Sequence, residues 1–202
     1  MMSQGYYFIK SEELKYIWFV VPKAGSRTVR HYLIRQGHVP EVEKLQHYDD
    51  SLYQDYYKFA FVRNPWSRLV SAWNDKSSNQ NDTPSWRIYS KYADDFDGFL
   101  RAVCDDNIRT LPGFEGGIIE RHVRPQVELI PVEYTDYIGK CETLRVDLHT
   151  ICQHIKTPIE NITQAGRVSH KHYTEYYDDY SRAMVNEKYA KDIECFGYTF
   201  GE

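Results

Sequence analysis

Apolar residues fall in short β-branched and aromatic runs, each followed by a polar loop and then by a stripe at helical spacing. The first run, Lys15 to Val21 (KYIWFVV), ends at Pro22, which cannot donate to a ladder, so a buried strand is predicted to meet a loop there. Tyr6 to Ile9 offers a partner strand across Ser11-Glu12-Glu13. Val29, Tyr32 and Leu33 stand at i, i+3 and i+4 with Ser26 or Thr28 as caps, which predicts a helix over about 27–36, stopped by Gly37.

The same grammar returns at Lys58 to Val62 (KFAFV), a predicted strand followed by Arg63, by Asn64 as an N-cap and by Pro65 at the first helical position. Trp66, Leu69, Val70 and Trp73 then form an apolar stripe. Asn74 to Tyr92 is polar and turn-rich and reads as an irregular insertion. Phe96, Phe99, Leu100 and Val103 predict another helix, and a glycine-rich corner follows at Gly113 to Gly117. Further on, the pattern predicts a strand at Tyr137-Ile138, a helix carrying Leu144, Leu148, Ile151 and Ile155, and a terminal helix over about 181–195. Glu175 to Asp179, acids between tyrosines, reads as a solvated helical face. Strands alternating with helices predict an α/β layered fold with a mainly parallel sheet. No internal repeat or linker divides the chain, so residues 1–202 are expected to form one domain.

Composition narrows the function classes. Apolar residues make up 42% of 202 residues, with 11 glycines and 8 prolines, which excludes disordered and collagenous chains. The longest purely apolar run, Ile17 to Val21, is far below the roughly 18–20 residues of a membrane span, so a soluble, cytoplasmic protein is expected. A net charge of −4 provides no global field for nucleic acid or anionic lipid, and any anion site has to be local. Cys104, Cys141, Cys152 and Cys195 show no CxxC pair and are expected as reduced, buried thiols. The 18 tyrosines suit half-buried core positions and sugar or base stacking alike.

Two segments carry anion chemistry. Pro22-Lys23-Ala24-Gly25-Ser26-Arg27-Thr28 lies where a buried strand hands over to a helix. Main-chain N–H groups at a helix start are unpaired and the macrodipole is positive there; small Ala24 and Gly25 let an anion approach, and Lys23 adds a charge. It is not a Walker A sequence, and an ordinary β–α turn with a surface lysine stands as the alternative. In Arg63-Asn64-Pro65-Trp66-Ser67-Arg68-Leu69-Val70-Ser71-Ala72-Trp73, the fork of Arg63 suits bidentate phosphate contact at another helix start. Ser67 and Ser71 share a helix face, and Arg68 either joins them or pairs with an acid. His170-Lys171-His172 reads as a metal site, a basic loop or solvated chain. Trp73, Trp86 and Tyr89 suit sugar stacking or packing.

At these residues the chain resembles the sulfotransferases that use 3′-phosphoadenosine 5′-phosphosulfate, in particular the carbohydrate-type branch (family 2) with its heparan and chondroitin sulfotransferases. PKAGSRT resembles that family's 5′-phosphosulfate loop, and RNPWSRLVSAW its 3′-phosphate signature. His122 with Pro125-Gln126, Asp136-Tyr137-Ile138-Gly139 with Glu142 and Leu144, and Tyr189, Asp192-Ile193-Glu194 and Phe196-Gly197-Tyr198 continue the match in order. Arg27 replaces a small polar residue of the family loop, and Asn64 stands where aspartate is common.

The resemblance implies a three-layer α/β/α fold of the P-loop nucleotide-hydrolase-like sulfotransferase type. It implies a donor held by Lys23, Ala24, Gly25, Ser26, Arg27 and Thr28 at the 5′ end and by Arg63 and Ser71 at the 3′-phosphate, with Lys171 in a basic loop closing there. Lys23 would stabilise the leaving group, and no metal is required. His122 is the candidate base for an acceptor hydroxyl, on a carbohydrate or glycolipid, with Glu120 and Glu115 as alternatives. A nucleotide-dependent kinase and a non-catalytic adenine-nucleotide binder are the competing readings.

Overall fold

The computed structural model of the chain describes residues 5–35, 41–77, 95–104, 118–158 and 171–202. Residues 1–63 and 126–167 cluster as one compact unit and residues 64–125 and 168–202 as a second.

The first unit is built on five strands: β1 (Gly5–Ser11), β2 (Tyr16–Phe19), β3 (Glu41–His47), β4 (Tyr57–Val62) and β5 (Tyr137–Lys140). Their order across the sheet is β3-β1-β2-β4-β5. The α/β class is as expected, and β2, β4 and β5 are parallel, with Phe19 opposite Ala60 and Val62 opposite Lys140. The other edge is antiparallel, with Phe8 opposite Phe19 across the Ser11-Glu12-Glu13 turn. That turn is far too short for a parallel crossover, which takes a dozen residues or more. β3 extends this edge and was not predicted, because EVEKLQH has no apolar alternation to signal a strand.

The all-apolar β2 lies at the centre and is wholly buried, which is what its YIWF run demands. Trp18 stacks on Phe59 of β4 with ring centroids 6.3 Å apart. Seven α-helices lie among the described residues: α1 (Ser26–Arg35), α2 (Pro65–Ser77), α3 (Phe96–Cys104), α4 (Ile118–Val123), α5 (Leu144–His154), α6 (Asp179–Lys188) and α7 (Ala190–Phe196). Within the first unit, α5 packs on β4 and β5. Asp147 fixes the entry to α5: it accepts from Lys140 N (2.8 Å), Tyr137 Oη (2.9 Å) and Thr143 Oγ1 (2.6 Å). Gly139 sits beneath it because a Cβ there would lie 2.7 Å from Phe61 Cε1. Asp136 takes the N–H of Lys58 at 2.7 Å and so joins the starts of β4 and β5.

The second unit is helical. Trp66, Leu69 and Val70 of α2 form its core with Phe99 and Leu100 of α3 and Val185 of α6, as the stripes predict. Burying each such side chain contributes about 1.5–3 kcal/mol. The half-buried Trp73 packs with its ring centroid 5.5 Å from that of Phe99; Trp86 and Tyr89 lie outside the described residues.

Three expectations are corrected here. The helix α2 continues through Ser77, so the polar segment from Asn74 begins as helix; its residues from 78 onward, like Gly37 and Gly113 to Gly117, lie outside the described residues. The terminal helix is two helices broken at Tyr189, a fully buried residue whose hydroxyl donates to Val123 O. Glu175 to Asp179 is not a helical face: a 3₁₀ turn ends at Tyr176, and Asp178 caps α6 by accepting from Ser181 N at 2.7 Å. Tyr177 turns into the core and donates to Trp66 O at 2.9 Å, and burial pushes its hydroxyl well above the usual tyrosine range.

Candidate anion site

Because β2 and β4 are parallel neighbours, the loops that leave them start from the same edge of the sheet. The loop after β2 holds two left-handed residues, Lys23 at φ 69° and Gly25 at φ 80°. For Lys23 that conformation costs about 1–2 kcal/mol, and such strain persists only where surrounding structure imposes it. Gly25 has a second reason to lack a side chain, since a Cβ would meet Leu144 Cδ1 at 2.9 Å. Its carbonyl accepts from Thr28 N (2.9 Å) and Val29 N (3.1 Å) and so begins α1. Ala24 and Thr28 are buried, Ser26 is half-buried and Arg27 is exposed. The first turn of α1 carries no acidic residue, so the positive end of its dipole faces no carboxylate from that turn.

Arg63 follows β4 and joins this loop directly: its Nη1 donates to Lys23 O at 3.3 Å. Its own main chain is gripped by Gln126, whose Oε1 accepts from Arg63 N (2.9 Å) while its Nε2 donates to Arg63 O (2.8 Å). Gln126 is 0% exposed. Beyond it, Cys141 N donates to Val62 O at 2.7 Å and closes the edge from the side of β5. Burial pushes the Cys141 thiol up against the opposing pull of Arg63, which keeps it protonated. All four cysteines are free; Cys152 alone is fully buried, and Cys195 is exposed, contrary to expectation.

The structure thus brings together Lys23 to Thr28 and Arg63 in the first unit. Ser71, His122 and Lys171 belong to the second, where Ser71 and His122 are half-buried and Lys171 is exposed. There Asn64 caps α2 as predicted, with Oδ1 accepting from Ser67 N at 3.2 Å. Its amide nitrogen donates to Thr199 O at 2.9 Å, a bond no aspartate can make, which accounts for the departure from the family pattern.

Arg68 is turned inward. It is 1% exposed, and its guanidinium donates to Arg121 O (3.0 Å) and Arg124 O (2.8 Å) at the end of α4. With Tyr189 on Val123 O, three carbonyls that a helix end leaves unpaired are satisfied around His122. Glu120 is buried in a two-point ion pair with Arg124, one contact at 2.6 Å. Glu115 and His170 lie outside the described residues. His172 caps the 3₁₀ turn, its Nδ1 lying 2.7 Å from Thr174 Oγ1. Among the described residues no group of three or more His, Cys, Asp or Glu converges as a metal site.

Both corners are legible in the sequence; the roles of Gln126, Arg68 and Tyr189 are not. Each acts on main chain distant in sequence, where no local pattern signals it. Lys23 and Arg63 thus stand just beyond the ends of two adjacent parallel strands and are joined by a hydrogen bond, a placement that can bring two positive charges to one anion. The chain belongs to the Sulfotransferase family, whose model matches residues 6–199. Searches of curated proteins and of solved structures gave no match.

Proposed function

We propose that the protein transfers the sulfuryl group of 3′-phosphoadenosine 5′-phosphosulfate to a hydroxyl of a carbohydrate or glycolipid acceptor. The observation that carries the reading is the bond from Arg63 Nη1 to Lys23 O, which ties a cation at the end of β4 to a strained, lysine-bearing loop at the end of β2. Family membership supports a transferase of this type. When bound, the donor supplies an activated sulfuryl group and a bisphosphate leaving group.

The chain's own residues then have separate tasks. Lys23 places an ammonium where charge develops on the leaving oxygen, as positioning and electrostatics dominate such transfers. Main-chain donors from Ala24 to Arg27, with the Ser26 and Thr28 hydroxyls, hold the 5′-phosphate at the start of α1. A guanidinium carries five N–H donors in a fork, so Arg63 can hold a main-chain carbonyl and a 3′-phosphate together. The roles of Ser71 and Lys171 at the 3′-phosphate, and of His122 in accepting the hydroxyl proton, are proposed from the sequence resemblance. The donor chemistry itself calls for no metal.

The test is calorimetric titration with 3′-phosphoadenosine 5′-phosphate beside adenosine 5′-phosphate and ATP, without magnesium. Micromolar binding that demands the 3′-phosphate is the expected result. Equal affinity for all three, or none, would overturn the reading and favour a kinase.

A further inference from the structure

We infer that Gln126 is the positioning residue for 3′-phosphate recognition, acting through Arg63; the inference rests on the donor reading above. An arginine at a strand end has a long, flexible side chain, and its aim is set first by its main chain. Here that main chain lies one residue beyond the last β4 position, where the β4 ladder no longer pairs it. The Gln126 carboxamide replaces the ladder, donating to Arg63 O at 2.8 Å and accepting from Arg63 N at 2.9 Å. A carboxamide is the one uncharged side-chain group that mimics both halves of a peptide partner, which explains a glutamine with no exposure at this place.

The other end of the residue is anchored too. Arg63 Nη1 holds Lys23 O at 3.3 Å, so the side chain is stretched between two fixed points, one set by Gln126 and the other by the left-handed Lys23. A group fixed at both ends loses little further freedom when an anion arrives, which is how a preorganised site gains affinity. Gln126, with both its oxygen and its nitrogen on the Arg63 main chain and no exposure, acts through Arg63 rather than on the nucleotide.

The test is the ratio of affinities for 3′-phosphoadenosine 5′-phosphate and adenosine 5′-phosphate, measured by calorimetry on the purified full chain. Gln126→Met should weaken the bisphosphate by about tenfold to a hundredfold, the scale for losing a charged hydrogen bond, while adenosine 5′-phosphate changes less than about threefold. In an Arg63→Met background, adding Gln126→Met should change bisphosphate affinity by less than about twofold, because the two act as one unit. Equal losses for both nucleotides, or full additivity in the double variant, would show a merely structural glutamine and overturn the inference. A wild-type protein without 3′-phosphate preference would instead remove the donor reading, and the inference with it. Should Gln126→Met not fold, Gln126→Asn keeps the carboxamide, shortens its reach and carries the same readout.

Discussion

The two strand-to-helix corners share one grammar and use it differently. In the first, Lys23 to Thr28, the backbone is special: two left-handed residues, a glycine with no room for a Cβ, and a helix start without an acidic residue. In the second, beginning at Asn64, the backbone is ordinary and the polar side chains are spent inside. Asn64 is tied to Ser67 and Thr199, and Arg68 to Arg121 and Arg124. A polar residue in a motif can therefore serve the ligand or the scaffold, and burial with main-chain partners separates the two. Arg63 is half-buried and reaches the first corner, consistent with the ligand role proposed for it; Arg68, 1% exposed, is tied to the main chain at the end of α4.

The two corners differ most at Lys23. Lys23→Ala should lower sulfuryl transfer about 10²–10³-fold, the scale for losing one preorganised charge-stabilising group, with the melting temperature held. Lys23→Gly should be equally inactive and melt no lower than the alanine variant, because glycine accepts φ 69° without penalty. A glycine variant that kept its activity would show that the left-handed turn, rather than the ammonium, does the chemistry.

Arg68→Met makes the opposite test. It leaves two carbonyls at the end of α4 without their donor, at about 1–3 kcal/mol each, so unfolding should come about 2–5 kcal/mol sooner. Bisphosphate affinity in the folded variant should stay within about twofold. A folded variant of normal stability that binds the bisphosphate tenfold more weakly would return Arg68 to the anion site. Between these lies Gly25→Ala, which meets a disallowed φ and the Leu144 methyls together and should cost about 1–3 kcal/mol. It should also weaken the bisphosphate, measured in the same titration.

What the sequence reveals of this molecule is what is local. The Asn64-Pro65 start of α2, the Trp66/Leu69/Val70 stripe and the strands at Lys15 to Val21 and Lys58 to Val62 follow from neighbours within one turn or one pleat. The break at Tyr189 has no glycine or proline to announce it; it is fixed by a hydroxyl reaching Val123, 66 residues away in sequence. Gln126 meets Arg63 across 63 residues; the family resemblance marks the residue, but no local hydrophobic pattern tells that it is buried against Arg63. The tyrosines make the same point. Tyr32, Tyr173, Tyr177 and Tyr189 each donate to a distant main-chain carbonyl, a use that composition leaves level with stacking on a sugar.

The finest test of the comparison is Asn64→Asp, which returns the family's commoner residue to the second corner. The cap survives, since one carboxylate oxygen still accepts from Ser67 N, and the charge suits a helix start. The other oxygen now faces Thr199 O, which accepts and cannot donate, in a site 1% exposed. A lost bond to a buried carbonyl costs about 1–3 kcal/mol, offset in part by the dipole, so a net loss of about 1–2 kcal/mol is expected. The sign with pH follows from the pairing. A buried carboxylate opposed to a carbonyl has a folded-state pKa above its unfolded value, so the variant's stability relative to the wild type rises as pH falls through that folded-state pKa. Thermal melts of both proteins from neutral to mildly acidic pH should therefore converge. A gap that widens on acidification would mean that the cap dominates and that the tie to Thr199 contributes little.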